Sequence, residues 1–253
     1  METPTLMGIA NLTDNSFVAG DRMGIMAVET VVNRVGEMFS DGAGIVDIGA
    51  CSTAPRNVPV SEEEELVRME KYLPSIFSAF PKAVFSIDSF RIGVAEKACN
   101  LAQGRLDNPE KQLWINDISS CDALLSFAAA RNLTYIAMDS GSDPVRFFRD
   151  FASRADKAGL EKWIPDPGFG FGKTIGQNWE ILNNLQRLQE FGRPILVALS
   201  RKRMIYVPAG LTPDTCAAQS VEAELLAASK GASIIRTHDL GLHRSRNRRC
   251  QLI

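Results

Sequence analysis

Short runs of apolar residues alternate with longer amphipathic segments along almost the whole chain. The runs are rich in Ile, Val and Leu with little apolar–polar alternation, which is typical of strands buried on both faces of a parallel sheet. Eight strands are predicted, at Leu6–Leu12, Gly44–Gly49, Ala83–Asp88, Leu113–Ile118, Thr134–Met138, Trp163–Asp166, Pro194–Leu199 and Ser233–Thr237.

Between these runs, apolar positions recur every three or four residues, which predicts helices. In the first segment Val28, Val32 and Val35 belong to one apolar stripe, and Ser61 followed by Glu64 marks the start of the second as a capping box. The predicted helical segments are 24–41, 61–78, 91–103, 122–131, 144–159, 177–191 and 214–230.

This alternation predicts the fold class. Eight strands, each followed by a helical segment, fit an α/β protein of the (β/α)₈ TIM-barrel type, and such barrels reach about 250 residues as one domain. We therefore expect residues 1–253 to form a single domain. An open, doubly wound sheet gives the same alternation and is the alternative.

The last helical segment is atypical. After His238 the chain has no sustained apolar stripe, and Arg244, Arg246, Arg248 and Arg249 are crowded together. We expect residues 239–253 to be a solvated or frayed Arg-rich tail rather than a basic binding patch.

Composition limits the classes of protein that remain. The chain has 253 residues, 45% hydrophobic and 23% charged, which excludes collagen, long disordered tails and coiled-coil rods. Because 28 Lys and Arg are balanced by 30 Asp and Glu, we expect no nucleic-acid partner. The sequence contains no Cys-x-x-Cys pair, basic leader or long apolar stretch. These absences predict a cytoplasmic protein without a Cys/His zinc site or a membrane partner.

Polar residues stand at nearly every predicted strand end, where the active site of a barrel lies. They are Asn11, Asp47, Asp88, Asn116 with Asp117, Asp139, Asp166, Ser200 with Lys202, and Arg236 with His238. A strand-end polar group often only caps a loop, but so many together predict a site for a polar ligand.

Two of these strand ends have a distinctive chemistry. Asp166 opens a loop with glycines at alternate positions up to Lys173, which lets the backbone approach a ligand closely. Arg236 and His238 are two residues apart, so they leave a strand on one face and suit an anion.

Seven motifs, in family order and spacing from residue 7 to residue 239, resemble dihydropteroate synthase. They are Met7–Thr13 with Ser16-Phe17, Asp47-Ile48-Gly49 with Ser52-Thr53 and Pro55, Ile87-Asp88-Ser89, Ile115–Ile118, Asp166–Lys173, Leu199–Lys202 and Arg236–Asp239. Each motif alone is a weak signal, whereas seven in one order indicate kinship.

The resemblance implies a pterin-binding TIM barrel that acts in folate biosynthesis. Its reaction would join 4-aminobenzoate to (7,8-dihydropterin-6-yl)methyl diphosphate, with Mg²⁺, giving 7,8-dihydropteroate and diphosphate. It also implies a cytoplasmic homodimer that sulfonamides inhibit. The chemistry needs charge stabilisation on the leaving group rather than an enzyme nucleophile, which agrees with the lack of a Ser/His/Asp or Cys/His arrangement.

The resemblance also implies roles for individual residues, carried over by position. The pterin-binding residues would be Asp88, Asn116, Asp166, Lys202 and Arg236. The diphosphate-binding residues would be Asn11, Thr53, Arg236 and His238, with Asn11 as the metal contact. The 4-aminobenzoate site would consist of Phe17, Pro55, Phe171, Ser200 and Lys202. Catalytic roles would fall to Asp88, Lys202, Arg236 and His238.

The chain departs from the family pattern at several positions. Ala54 replaces an arginine of the second loop, with Arg56 two positions later, and Ala198 stands where glycine is common. Two alternatives therefore stay open: a non-catalytic or altered pterin-binding paralogue, and a methyltetrahydrofolate methyltransferase, which would need no diphosphate site.

Overall fold

Eight strands and the helices between them alternate along the chain, as the apolar pattern predicts. A computed structural model describes residues 3–13, 23, 26–51 and 59–250, with side chains described up to residue 246. The strands are β1 Thr5–Asn11, β2 Ala43–Gly49, β3 Val84–Asp88, β4 Leu113–Asp117, β5 Thr134–Met138, β6 Trp163–Asp166, β7 Ile195–Val197 and β8 Ala232–Thr237. All eight match the predicted strands to within two residues at either end.

Ten α-helices lie within these described ranges. They are α1 Val28–Ser40, α2 Glu62–Ala79, α3 Ile92–Ala102, α4 Pro109–Gln112, α5 Asp122–Ala130, α6 Pro144–Ala158, α7 Ile175–Asn183, α8 Arg203–Tyr206, α9 Ala217–Ser229 and α10 Leu240–Cys250. The α2 start is confirmed, because the Ser61 side chain accepts a hydrogen bond from the Glu64 amide. No helix in the described ranges is long and apolar enough to cross a membrane.

The strands form one parallel sheet that curls into a nearly closed barrel. Each strand is hydrogen-bonded to the next along the chain from β1 to β6, and β8 lies between β1 and β7. β6 and β7, the two ends of this strand order, lie side by side, but no strand hydrogen bonds are described between them. The predicted (β/α)₈ barrel is confirmed, and the open doubly wound alternative is wrong.

Apolar residues pack on both surfaces of the sheet. Outside the barrel, helix residues such as Val31, Val35 and Phe77 bury their side chains against outward-facing strand residues such as Phe85. Inside it, a smaller cluster fills one end of the barrel. This interior cluster is the floor on which the polar strand ends stand.

The structure differs from the predicted helices in two ways. The predicted segment 177–191 is divided into α7 and a 3₁₀ helix at Leu185–Phe191. The short helices α4 and α8 were not predicted, because four residues are too few to show helical periodicity.

Residues 240–250 of the predicted solvated or frayed tail form the helix α10. Leu240 and His243 are buried, and the His243 Nε2 atom lies 2.7 Å from a carboxylate oxygen of Glu224 in α9. Arg244 and Arg246 make exposed ion pairs with Asp41 and Glu222. The buried contact between His243 and Glu224 therefore holds α10 against α9, although the sequence of α10 has no apolar stripe.

Candidate active site

Polar residues form one level of the barrel interior, just above the apolar floor. Ile45, Trp114, Ile164 and Ile234 belong to that floor, one from each of β2, β4, β6 and β8. Because side chains alternate along a strand, the residue two positions further on faces the same side. Two positions after these apolar residues stand Asp47, Asn116, Asp166 and Arg236. We call these four the charged layer, since three of them are ionisable and the fourth is an amide. Layers of four side chains from alternate strands are typical of TIM barrels.

The Arg236 guanidinium connects three strands across this interior. Its Nε donates to Asp47 Oδ2 at 2.6 Å, and its Nη2 donates to Asp88 Oδ2 at 2.9 Å. The Asn116 amide donates to the same Asp47 oxygen at 3.1 Å. Burial and the neighbouring Asp47 carboxylate raise the pKa of Asp88 to about 7, although Arg236 opposes the shift.

A second ionic group lies at the ends of β6 and β7. Asp166 Oδ1 accepts the Gly168 amide at 2.8 Å, and burial raises the pKa of this carboxyl against the attraction of Lys202. The Lys202 ammonium donates to the Phe169 carbonyl and lies 4.9 Å from the centre of the Phe171 ring. Burial lowers the pKa of Lys202 to about 8.

The glycine-rich loop after β6 has a left-handed backbone at each of its three glycines. Their φ angles are +62° at Gly168, +84° at Gly170 and +61° at Gly172. The Lys173 ammonium closes the loop from within by donating to three carbonyl oxygens, those of Asp139, Gly168 and Phe171. Lys173 is therefore a structural residue, and the glycines permit the turn that places Asp166 and Phe171.

His238 lies beside the ends of β7 and β8. Its Nδ1 is 2.9 Å from the Ser200 hydroxyl, which also accepts the His238 amide. Asp239 binds the Arg201 guanidinium through two hydrogen bonds of 2.6 and 3.2 Å. Burial and the nearby cations lower the pKa of His238 to about 3, so its imidazole is neutral at physiological pH.

Oxygen donors that suit a magnesium ion occur at the end of β1. The Thr13 hydroxyl, 1% exposed, has no hydrogen-bond partner within the described chain, and Asn11 stands two residues before it. Mg²⁺ commonly binds through one or two protein oxygens together with phosphate oxygens and waters. The residues present therefore fit Mg²⁺ held mainly by a diphosphate, although the described part of the chain contains no cluster of three carboxylate, His or Cys side chains.

The structure brings the described predicted residues to the same end of the barrel. Those residues are Asn11, Asp88, Asn116, Asp166, Phe171, Ser200, Lys202, Arg236 and His238. The predicted residues Phe17, Thr53 and Pro55 lie outside the described residues, as do Ala54 and Arg56. Asp47 contacts both Arg236 and Asn116, which the carboxylate at that strand end did not by itself predict.

Comparison with known proteins agrees with this geometry. A family model described as "Pterin binding enzyme" matches residues 7–238. The dihydropteroate synthase of Clostridium beijerinckii is 33% identical over 94% of this chain and 90% of its own length. The enzyme of the same name from Escherichia coli is 31% identical over 94% of this chain and 87% of its own length.

Solved structures give the same result. Dihydropteroate synthase from Xanthomonas albilineans, with 4-aminobenzoic acid, superimposes with a TM-score of 0.83 at 31% identity, covering 99% of this chain and 94% of that one. The Yersinia pestis enzyme in a sulfonamide drug complex superimposes at 0.82 with 29% identity, covering 98% and 94%. The chain belongs to the pterin-binding enzymes and, among them, to the dihydropteroate synthases, the transferases of folate synthesis.

Proposed function

We propose that this synthase condenses (7,8-dihydropterin-6-yl)methyl diphosphate with 4-aminobenzoate at the polar end of its barrel. The observation that carries the proposal is the charged layer, which places Asn116, Asp166 and Arg236 around one interior space. A methyltransferase would have no need of an anion site, so Arg236 and His238 favour the synthase over that alternative. The matched relatives and structures described above are likewise synthases.

Pterin recognition falls to the carboxylates, the amide and the ammonium of this interior. The free carboxylate oxygen of Asp166 can accept N–H groups of the aminopyrimidinone ring, while Lys202 and Asn116 can donate to its acceptors. Arg236 is held by two carboxylates, which leaves its flat guanidinium face for stacking on the pterin. Asp88 supplies the remaining carboxyl of the pocket.

The reaction itself requires stabilisation of the departing diphosphate. Arg236 supplies fixed positive charge. His238 can donate a hydrogen bond as a neutral imidazole, because its lowered pKa keeps the ring uncharged. Asn11 and Thr53 complete the proposed diphosphate site, and Asn11 would hold Mg²⁺. When bound, Mg²⁺ supplies positive charge to the leaving group.

The second substrate enters as a neutral aryl amine, which needs no activation by an enzyme nucleophile. Ser200, Lys202 and Phe171 lie together at the ends of β6 and β7, and we propose that they border 4-aminobenzoate. Phe17 and Pro55 are proposed to complete that border. Holding the amine in line with the breaking carbon–oxygen bond supplies the entropic part of the rate enhancement.

Product formation from the two pure substrates tests the proposal. We expect the purified chain to form dihydropteroate and diphosphate when Mg²⁺ is present, and to lose this activity when the metal is chelated. The matched control is Glu161→Gln, which neutralises an exposed carboxylate in the loop between α6 and β6, at the opposite end of the barrel from the strand ends. Binding of the dihydropterin substrate without any product would instead identify a non-catalytic pterin-binding paralogue.

We also propose a homodimer, formed through the surface of α9 and α10. These helices pack together and form a groove lined by Ala218, Val221 and Leu242. Leu226 on α9 and Leu242 on α10 are 37% and 41% exposed, and they are two of the five large apolar side chains that the described residues expose. Light scattering should give twice the mass of the chain, and Leu242→Glu should give the monomer mass.

Inhibition by sulfonamides and a cytoplasmic location complete the proposal. Sulfonamides would compete with 4-aminobenzoate for the border formed by Ser200, Lys202 and Phe171, which a competition assay measures as a raised KM for 4-aminobenzoate. The four described cysteines are all free thiols, as expected in a reducing compartment. Cell fractionation tests the location.

A further inference from the structure

Asp47 differs from the other three members of the charged layer, because no contact with a substrate has been assigned to it. Its side chain is fully buried in the barrel interior. Asn116, Asp166 and Arg236 surround the space proposed for the pterin, and Asp47 contacts two of them through one oxygen atom. Its position in the layer is therefore that of a support.

The two contacts join opposite sides of the barrel. Asn116 lies on β4 and Arg236 on β8, and each of these strands is two positions away from β2 in the sheet. A single carboxylate oxygen, Asp47 Oδ2, accepts both the Asn116 amide and the Arg236 Nε. Because both side chains have several rotamers, a shared acceptor fixes their orientation relative to each other.

We propose that Asp47 is a positioning residue that holds Asn116 and Arg236 in the orientation required to bind the dihydropterin diphosphate. The inference rests on the proposed function, since it names the support of the same site. Asp88 alone cannot replace this role, because it contacts Arg236 through Nη2 and makes no hydrogen bond to Asn116 among the described contacts.

The surroundings of Asp47 indicate that it contributes less to stability than to the positioning of Asn116 and Arg236. Its second oxygen, Oδ1, is buried without a partner among the described residues, which makes the burial of this carboxylate costly. Arg236 keeps Asp88 as a partner when Asp47 is neutralised, so no buried cation is left unpaired. Asp47→Asn should therefore change substrate binding more than it changes stability.

The decisive experiment measures both KM values of Asp47→Asn with the full chain. Loss of charge-assisted hydrogen bonds predicts a KM for the dihydropterin diphosphate that rises roughly tenfold to one hundredfold. The KM for 4-aminobenzoate should stay within about threefold, because the described residues that border that substrate, Phe171, Ser200 and Lys202, make no described hydrogen bond to Asp47. The melting temperature, measured alongside, should change little.

Ser86→Ala is the matched control. Ser86 pairs with Asp47 in the register of β2 and β3, is fully buried, and has a hydroxyl without a partner in the described chain. Removing that hydroxyl perturbs the same level of the interior without breaking a described hydrogen bond, so both KM values should stay unchanged. An equal rise in the KM for the pterin substrate in Ser86→Ala would overturn the inference.

A pH profile gives a readout that a merely structural role would not move. The groups facing Asp88 are Asp47 on β2, Arg236 on β8, Glu65 on α2 and Asp166 on β6. Without the Asp47 charge, the pKa of Asp88 should fall below its value of about 7. A limb of the kcat/KM profile that reports the Asp88 carboxyl should therefore move to lower pH in Asp47→Asn, while ionisation of the substrate itself is the same in both proteins.

The outcomes are distinguishable. Unchanged KM for the pterin substrate, or a parallel rise of both KM values with a large loss of melting temperature, overturns the positioning role. Should Asp47→Asn fail to fold, Asp47→Ser, which leaves room for water, gives the same comparison. If the unaltered protein forms no product, the proposed function fails, and calorimetric binding of the dihydropterin diphosphate to both proteins still tests Asp47.

Discussion

Replacing Gly168 with alanine should damage both the stability of the barrel and its affinity for the pterin substrate. Gly168 has a φ of +62°, and an added Cβ would lie 1.9 Å from the Asp139 carbonyl oxygen. The left-handed backbone alone costs an L-residue about 1–2 kcal/mol. To reach even a 3.0 Å contact, the two segments must also separate by more than 1 Å.

That separation disrupts identified hydrogen bonds. The Asp139 carbonyl accepts the Lys173 ammonium at 2.7 Å, and the Gly168 amide donates to Asp166. Overpacking costs about 1–3 kcal/mol, and a hydrogen bond to a charged group contributes about 1.5–3 kcal/mol. Taking the lower bound of each cost, we expect Gly168→Ala to lower the free energy of unfolding by at least about 3.5 kcal/mol, and to weaken pterin binding through Asp166.

Gly104→Ala is the matched control for this measurement. Gly104 has a similar φ of +69°, but its added Cβ would have no neighbour within 4 Å. The backbone penalty, partly offset by the lower entropy of the unfolded chain, should then cost about 1 kcal/mol. Urea unfolding of the two variants gives both values, and equal losses of stability would refute the close approach of Gly168 to Asp139.

Three further predictions concern individual side chains. Asp166→Asn should weaken pterin binding by roughly tenfold or more in calorimetry, because an amide cannot accept paired N–H groups as a carboxylate does; unchanged affinity would contradict the assigned role. Since the pKa of Lys202 is lowered to about 8, its ammonium is present below that pH and lost above it, so pterin affinity should fall between pH 7 and 9. A flat profile over that range would remove Lys202 from the pterin site. His243→Ala should lower the free energy of unfolding by about 1–3 kcal/mol, because it leaves the buried Glu224 without one donor, and denaturant unfolding measures this loss.

The sequence predicted the barrel and much of its polar end, because both follow from simple periodicity. Apolar runs gave the strand positions, and polar residues at strand ends marked one end of the barrel. Within the strands, alternation places Asn116, Asp166 and Arg236 on the inner face. What periodicity alone cannot give is which interior residues meet across the barrel.

Apart from the short helices, the features that the sequence did not predict depend on side-chain contacts between polar groups. Asp47 and Arg236 are 189 residues apart, and no local pattern indicates that they pair. Lys173 ends the glycine-rich loop, and no local pattern indicates that its ammonium binds the carbonyl oxygens of Asp139 and Gly168. Helix α10 has no apolar stripe in its sequence, so it was not predicted to pack. In the structure it packs through the buried contact between His243 and Glu224.

The unpaired neighbours β6 and β7 have a mechanical consequence for this barrel. In a fully closed barrel, any change of circumference must break strand-to-strand hydrogen bonds, each contributing about 0.5–1.5 kcal/mol. Here the circumference can change at the seam between β6 and β7 without that cost. Asp166 ends one side of the seam, and Lys202 follows the other. We therefore expect any change in the width of the pocket to occur at this seam, where the two proposed substrate sites adjoin, and amide hydrogen exchange should then show protection gained in both strands when ligands bind.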